Sequence, residues 1–328
     1  MKRLTAMIGL LGLALGVAVP AWAQTMPKWR MGVVRYKADT AFELAGSEKG
    51  FYKEQGLDFE PVEMPGDADL LRALTAGTFE AAHITPSGTM AAIEKGAGLK
   101  VVATFMPGLP HVLYARKDIN GFADLAGKPV GVSGFGALPH VVAQGILENH
   151  RVDLSKIEWV QMGGDPDRAR AMVAGQLAGT VASIEFEQML KAAGAKILAV
   201  ASEELPNWTR FTVITTDAVI KERPGDLVKA LIAQAKGTRY AMTPTNKDDM
   251  VRLMAKYGKR DVKQVAWVYD WFLAHKQLNP NGDLKAASLN WMQELNIKLG
   301  RQKKALPLDQ IATWEFQKKM LAEIGEQR

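Results

Sequence analysis

Two segments of this chain combine a short apolar strand, a turn rich in glycine and serine, and the start of a helix. One runs from Lys128 to His140 and the other from Ala81 to Ile93. Such a corner leaves free backbone N–H groups and the positive end of a helix dipole at the edge of a sheet. Two corners of this kind predict a cleft with a wall on either side, where a small anion or a polar group can bind.

Strand-like and helix-like segments alternate with short links through the first half of the chain, which favours an α/β fold with a largely parallel sheet. The first strand is predicted at 29–34, and Asp39 or Thr40 caps the helix that follows. Beyond Pro224 the apolar residues recur at helical spacing, which predicts a helical C-terminal layer. A chain of 328 residues is long enough for two domains.

The N-terminal segment has the composition of a cleaved export signal. Lys2 and Arg3 precede an apolar run that ends at Pro20, and Ala21 to Ala23 have the small-x-small pattern that a signal peptidase needs. The run is shorter than the ~18–20 residues that cross a bilayer. We therefore predict a signal peptide over 1–23, cleavage after Ala23 and a periplasmic protein.

Composition excludes several kinds of site. The chain has no cysteine, so disulfides, thiol nucleophiles and zinc–thiolate centres are impossible. Its formal net charge of +6 is dispersed, and the one basic cluster, at 301–304, is interpreted as solvated surface. No basic stripe interleaved with aromatic residues indicates a nucleic-acid partner. His83, His111 and His140 fall near the predicted cleft without metal-ligand spacing, so we expect structural or hydrogen-bonding histidines, no metal, no cofactor and no catalytic residue.

The segment at 46–58, GSEKGFYKEQGLD, resembles the opening of the nitrate/sulfonate/taurine-type substrate-binding proteins of ABC importers, a group that includes thiamine-pyrimidine-type binders. The family pattern is A-x-x-x-G-(F/Y)-(F/Y)-x-x-x-G-L-(D/E), and Gly46 replaces the usual alanine. Three further matches follow in the expected order, LTAG at 74–77, FADLAGKPVGV at 122–132 and RAMVAGQL at 170–177. The chain departs from the family after Gly179, where it lacks the usual Asp-Ala pair.

The resemblance implies a type II periplasmic-binding-protein fold, with two α/β lobes, two hinge strands and a ligand between the lobes. Placed on this chain, the first lobe would comprise 24–115 and 211–328, including the C-terminal helices, and the second lobe 116–210. The hinge strands would be 111–116 and 211–216.

The candidate ligand-binding residues lie after predicted strands, at the edge of the sheet where α/β proteins bind ligands. They are Arg35, Tyr36, Thr40, Thr85, Pro86, Ser87, Ser133, Gly134, Phe135, Gly136, Ala137, Glu185, Phe186 and Arg210. Ser133 would offer its hydroxyl, Gly136 and Ala137 their backbone N–H groups, and Phe135 an apolar wall.

Each candidate also has a structural interpretation. A buried Arg35 would bind a carboxylate or sulfonate at two points, whereas an exposed one would be ordinary surface. Ser87 can cap a helix, and the glycines can serve the turn alone. Glu185 can accept a hydrogen bond from the ligand or pair with Arg210.

The implied function is capture of a small organic anion (a sulfonate, carboxylate or aromatic acid) and its delivery to an ABC permease in the inner membrane. A pyrimidine-like thiamine precursor is the alternative ligand. An exported ligand sensor and an enzyme on the same fold are further alternatives, although a thiamine-pyrimidine synthase carries a cysteine-rich motif that this chain lacks. We expect a monomer without a nucleic-acid partner.

Overall fold

The computed structural model describes residues 25–327, so the predicted signal peptide and its cleavage site lie outside the described residues. The strands are β1 (Lys28–Val34), β2 (Asp58–Met64), β3 (Ala81–Ile84), β4 (Leu99–Met106), β5 (His111–Ala115), β6 (Pro129–Val132), β7 (Glu158–Gln161), β8 (Gly179–Ser183), β9 (Lys196–Val200) and β10 (Phe211–Thr216).

Helices connect most of the strands and form the C-terminal region. They are α1 (Thr40–Glu48), α2 (Phe51–Glu54), α3 (Asp67–Thr75), α4 (Pro86–Glu94), α5 (Leu138–Asn149), α6 (Asp165–Val173), α7 (Glu187–Ala192), α8 (Ala201–Glu204), α9 (Asp217–Glu222), α10 (Pro224–Met242), α11 (Lys247–Gly258), α12 (Val262–Ala274), α13 (Ala286–Lys298), α14 (Leu308–Ile311) and α15 (Glu315–Ile324). Short 3-10 turns lie at Phe122–Leu125, Leu154–Lys156, Ile184–Phe186 and Pro244–Asn246. None of the helices within 25–327 is both long and apolar enough to cross a membrane.

The strands form two five-stranded sheets, in the orders β2-β1-β3-β10-β4 and β7-β6-β8-β5-β9. In the first sheet β1 runs parallel to β2 and β3, whereas β10 runs antiparallel to β3 and β4. The second sheet repeats this plan, with β6 parallel to its neighbours and β5 antiparallel to β8 and β9. The sheets are therefore mixed rather than largely parallel. Parallel neighbours require a crossover connection, and β5 and β10 instead enter directly from the other sheet.

The chain passes between the sheets twice, through 107–110 after β4 and through 205–210 before β10. The segments predicted as hinge strands, 111–116 and 211–216, coincide with β5 and β10 and lie inside the sheets. The connections between the sheets are thus the short segments that precede them. Since β5 belongs to the second sheet, the change of sheet falls a few residues before the lobe boundary predicted at 115.

The predicted helical layer is present. Helix α10 packs against α1, α2 and α15, and α11 packs against α12. Helix α4 begins at Pro86, within the 81–93 corner, because proline fits the first turn of a helix, where no N–H donor is needed. Strand β9 and helix α15 are among the elements that the sequence analysis does not identify.

Helices α1 and α10 approach so closely that glycine is required on both. A Cβ atom on Gly46 would lie 2.6 Å from the carbonyl oxygen of Ala233, and one on Gly237 would lie 2.3 Å from the backbone nitrogen of Gly46. This contact explains why Gly46 stands where the family pattern has alanine. Alanine at 46 would force the two helices apart.

We predict that Gly46→Ala lowers the free energy of unfolding by about 1–3 kcal/mol, because overpacking outweighs the better helix propensity of alanine. Gly225→Ala is the matched control: Gly225 also lies in a helix, but nothing lies within 4 Å of its Cβ position. It should stabilise the protein by about 0.5–1 kcal/mol. Thermal and urea unfolding measure both changes, and a stabilised Gly46→Ala variant would contradict the tight α1–α10 contact.

Candidate functional site

A cleft of about 700 Å³ opens between the two sheets, and the beginnings of four helices line it: α3, α4, α5 and α6. Its lining residues are Val34, Arg35, Tyr36, Lys37, Pro65, Gly66, Asp67, Thr85, His111, Ser133, Leu138, Pro139, Gly164, Asp165, Pro166, Asp167, Glu185, Phe186, Arg210, Phe211, Gly258 and Arg260. Both strand–turn–helix corners identified in the sequence reach this cleft, one through Thr85 and the other through Ser133 and Leu138.

Arg210 belongs to the second connection between the sheets and its side chain is only 2% exposed. Its Nη2 lies 2.8 Å from Oδ2 of Asp39, and its guanidinium lies over the ring of Phe211 at 4.3 Å. Burial by itself would raise the pKa of Asp39, but the nearby cations, Arg210 first and then Lys37, together outweigh burial and lower that pKa to about 2. The pair is therefore fully ionised at neutral pH.

Several polar atoms beside this pair have no hydrogen-bond partner among residues 25–327. They are Nη1 of Arg210, Oδ1 of Asp39 and Nδ1 of His111. Arg210 and His111 line the cleft, and both are more than nine-tenths buried. Buried polar groups are nearly always hydrogen-bonded, so these atoms are positions where a bound solute can complete the site.

The ring of His111 is 5% exposed at the start of β5. Burial lowers the pKa of His111 to about 3, although the nearby carboxylates of Asp165 and Asp39 act in the opposite direction. The imidazole is therefore neutral at neutral pH. A neutral imidazole can donate one hydrogen bond and accept another, and it adds no positive charge to the cleft.

Carboxylates and cations are equally numerous in the lining. The cations are Arg35, Lys37, Arg210 and Arg260, and the carboxylates are Asp67, Asp165, Asp167 and Glu185. Burial raises the pKa of Asp67 and of Glu185, and the charge of Asp39 adds to the rise at Glu185. The cleft is therefore not a generally cationic surface, and selectivity must come from particular groups.

Arg260 follows α11 and reaches across the cleft to the second sheet. Its Nη2 lies 3.8 Å from Oε2 of Glu185, and its guanidinium stands 5.0 Å from the centre of the Phe186 ring. Glu185 thus pairs with Arg260 rather than with Arg210, whose carboxylate partner is Asp39. The two arginines of the cleft therefore have different carboxylate partners.

The turn at 133–137 uses its own backbone donors. The N–H of Gly136 donates to Nδ1 of His140 at 2.8 Å, and the N–H of Ala137 donates to the carbonyl of Gly134 at 3.1 Å. These are the two N–H groups that the sequence prediction assigned to the ligand. Phe135, predicted as an apolar wall, is 67% exposed and does not line the cleft.

The predicted residues divide evenly between the cleft and its surroundings. The structure brings together Arg35, Tyr36, Thr85, Ser133, Glu185, Phe186 and Arg210 in the lining, and it leaves out Thr40, Pro86, Ser87, Gly134, Phe135, Gly136 and Ala137. Arg35 is exposed at the cleft. Thr40 is buried and its hydroxyl accepts from the N–H of Lys37 at 3.0 Å, while the Ser87 hydroxyl donates to Oδ1 of Asn296.

Sequence reasoning missed Lys37, Asp67, Asp165 and Arg260, and it interpreted His111 as a structural or hydrogen-bonding histidine. One missed group has a recognisable pattern, because Gly163 and Gly164 follow β7 and precede α6. This is a third strand–glycine turn–helix corner. No group of three or more side chains able to hold a metal ion occurs in the part of the chain that the structure describes.

Comparison with known proteins relates this geometry to one family. The family model described as NMT1/THI5 like matches residues 37–247. Among curated proteins, YtlA of Bacillus subtilis (strain 168) is 23% identical over 328 residues, and the match covers 97% of each chain. YtlA is named as a binding protein.

Solved structures share the fold. The alkanesulfonate-binding protein SsuA from Xanthomonas axonopodis pv. citri, bound to MOPS, superposes with a TM-score of 0.69 at 16% identity, covering 88% of this chain and 98% of that chain. The desulfurization enzyme DSZB superposes with a TM-score of 0.69 at 17% identity, covering 91% and 99%. The predicted family resemblance and the periplasmic-binding-protein fold are therefore confirmed, and the same fold serves a binding protein and an enzyme.

The buried His111 should make stability depend on pH. The pKa of His111 falls from 6.5 to about 3 on folding. Between pH 6.5 and 3 this imidazole is therefore protonated in the unfolded chain and neutral in the folded protein. Stability is therefore full above pH 6.5 and decreases as the pH falls toward 3, by up to about 1.4 kcal/mol per pH unit from this group. We predict a shallower decrease between pH 6.5 and 4 for His111→Gln, measured by urea unfolding. Parallel curves for the two proteins would contradict the assignment.

Proposed function

Since the chain belongs to the NMT1/THI5-like family, we propose that it is an exported solute-binding protein that captures a small organic anion in the cleft and delivers it to an ABC permease. The ligand class that we propose is a sulfonate, a carboxylate or an aromatic acid. Its site of action is the periplasm, and the protein works as a monomer with two lobes divided near 115 and 210.

The observation that carries this proposal is the pair of unsatisfied groups at Arg210 and His111. Both side chains are buried in the cleft lining, and each has a nitrogen that finds no partner within 25–327. Leaving a buried donor unpaired costs about 1–3 kcal/mol, and an acceptor oxygen of a solute removes that cost. Acid oxygens are the acceptors that bind a guanidinium most strongly. The alkanesulfonate-binding role of the Xanthomonas protein supports the same ligand chemistry.

A pyrimidine-like ligand is the second candidate, and the carboxylates favour it. Glu185 is nearly buried, and its only cationic partner, among the residues described, is Arg260 at 3.8 Å. A carboxylate in that position can accept hydrogen bonds from ring or exocyclic N–H groups. A heterocycle with such donors would be held by Glu185 on one side and would stack against Phe186.

The proposed mechanism is closure of the cleft. Residues of both sheets line it, so a solute that contacts both favours the closed arrangement by its difference in affinity for the two states. The closed protein then docks on the permease, and the solute leaves unchanged. A sensor that presents its ligand to a receptor would use the same step. An enzymatic function is supported only by the similarity of fold to DSZB, and this chain has no cysteine that could act as a thiol nucleophile.

We predict that a thermal-shift screen of the chain from Gln24 onward identifies organic anions among alkyl sulfonates, taurine, nitrate, aromatic carboxylates and pyrimidines. The protein is refolded first to remove any copurified solute. A ligand at about 100 times its Kd stabilises the folded state by about 2.7 kcal/mol, which raises the unfolding midpoint by several degrees. Calorimetry then gives the affinity of each hit.

Substitutions at Arg210 and Glu185 test whether the ligand binds in this cleft. Arg210→Lys keeps the charge opposite Asp39 but loses the second arm of the guanidinium, so we expect at least a roughly 10-fold loss of anion affinity. Arg72→Lys is the matched control. It makes the same substitution in α3, at an arginine whose side chain is 73% exposed. Hits confined to pyrimidines and weakened by Glu185→Gln would favour the second candidate. Folded protein with no hit, or equal affinities in the two lysine variants, would contradict the anion proposal.

A further inference from the structure

The basic cluster at 301–304 is not uniform. Lys303 and Lys304 are exposed, as the sequence predicts, but Arg301 is half-buried just after α13. Its Nη1 lies 3.5 Å from the hydroxyl of Ser87, in the corner at 81–93. Its Nη2 lies 2.8 Å from the position of a Cβ atom on Gly136, in the turn of the corner at 128–140. The Arg301 guanidinium thus stands where the two corners meet.

Among residues 25–327 this guanidinium has no carboxylate within 4 Å, and its one hydrogen bond, to the Ser87 hydroxyl, is long at 3.5 Å. Burial lowers the pKa of Arg301 below its ordinary value, since water is removed without a compensating charge. A cation that is partly removed from water gains from pairing with an anion. The half-buried Arg301 guanidinium has donors left for such a pairing.

Two other arginines show what a compensated site looks like in this protein. Arg168 is bonded to the carboxylate of Asp165 and to the carbonyl of Val181. Arg239 donates to the carbonyls of Pro280 and Gly325. Arg168 thus has a carboxylate partner, and Arg239 has several carbonyl partners. Arg301 differs from them in having most of its donors free.

We propose that Arg301 selects for negative charge in the ligand, by pairing its guanidinium with an acid group of the bound solute where the two corners meet. The inference rests on the proposed function and deepens it. Arg210 is neutralised by Asp39, and the charges of the cleft lining balance, so neither supplies a net positive charge. Arg301 supplies a net positive charge. It lies next to the cleft, because its contact Ser87 is two positions from the lining residue Thr85 and its contact Gly136 is three positions from the lining residue Ser133.

The first test compares acids with their neutral amides. Calorimetry with benzoate and benzamide, and with propanesulfonate and propanesulfonamide, gives the ratio of anion to amide affinity for each protein. We expect Arg301→Gln to reduce this ratio by roughly 10-fold or more, since hydrogen bonds to a charged group contribute about 1.5–3 kcal/mol. Arg301→Lys should retain part of the ratio. Lys303→Gln removes the same charge two residues away and should leave it unchanged.

A second test needs no organic ligand. Thermal unfolding in sodium sulfate and sodium phosphate is compared with sodium chloride at the same ionic strength. We expect the two oxyanions to raise the midpoint more in the wild-type protein and in Lys303→Gln than in Arg301→Gln. The comparison with inorganic oxyanions tests the role of Arg301 even if no organic anion binds. The absence of organic ligands would count against the proposed function and not against the role of Arg301.

Three results would overturn the inference. They are an unchanged anion-to-amide ratio in Arg301→Gln, an equal oxyanion shift in Arg301→Gln and Lys303→Gln, and the absence of any oxyanion shift in the wild-type protein. Arg301→Lys guards against a folding artefact, because it preserves the cation next to the Gly136 turn. If Arg301 only braced that turn, Arg301→Gln would lower the midpoint equally in chloride and in sulfate.

Discussion

The buried ion pair between Asp39 and Arg210 determines what the rest of the cleft can do. It joins the start of α1 to the second connection between the sheets, at a distance of 2.8 Å. Removing one partner of such a pair costs about 3–5 kcal/mol, because the other charge is left buried. The pair therefore holds the guanidinium in one orientation. Its unpaired Nη1 is available to a solute without further reorganisation.

The sequence predicts the fold well because the fold depends on local chemistry. Apolar periodicity and glycine turns specify the strand–helix units, and the helix start predicted within 128–140 is the start of α5 at Leu138. The mixed sheets were missed because β5 and β10 pair only after the chain has crossed between the sheets. No local pattern reports which strand a segment will meet after such a crossing.

The site is predicted less completely than the fold, and the errors have a common cause. Residue type indicates which groups can donate, but tertiary contacts decide which of them stay free. Gly136 and Ala137 have the expected N–H groups, yet His140 and Gly134 already accept from them. Arg301 looks like part of a surface cluster, because nothing in its neighbours along the chain indicates that Ser87 and the Gly136 turn will enclose it.

In the proposed mechanism, recognition and closure depend on the same residues. Arg260, which follows α11, contacts Glu185 and Phe186 after β8 of the second sheet, and Arg301 lies between Ser87 and the Gly136 turn. Ser87 follows β3 of the first sheet and Gly136 follows β6 of the second, so Arg301 also connects elements of the two sheets. We propose that a solute paired with Arg301 strengthens this connection. Charge selectivity and stability of the closed state would then arise from one interaction, and a neutral analogue would lose both together.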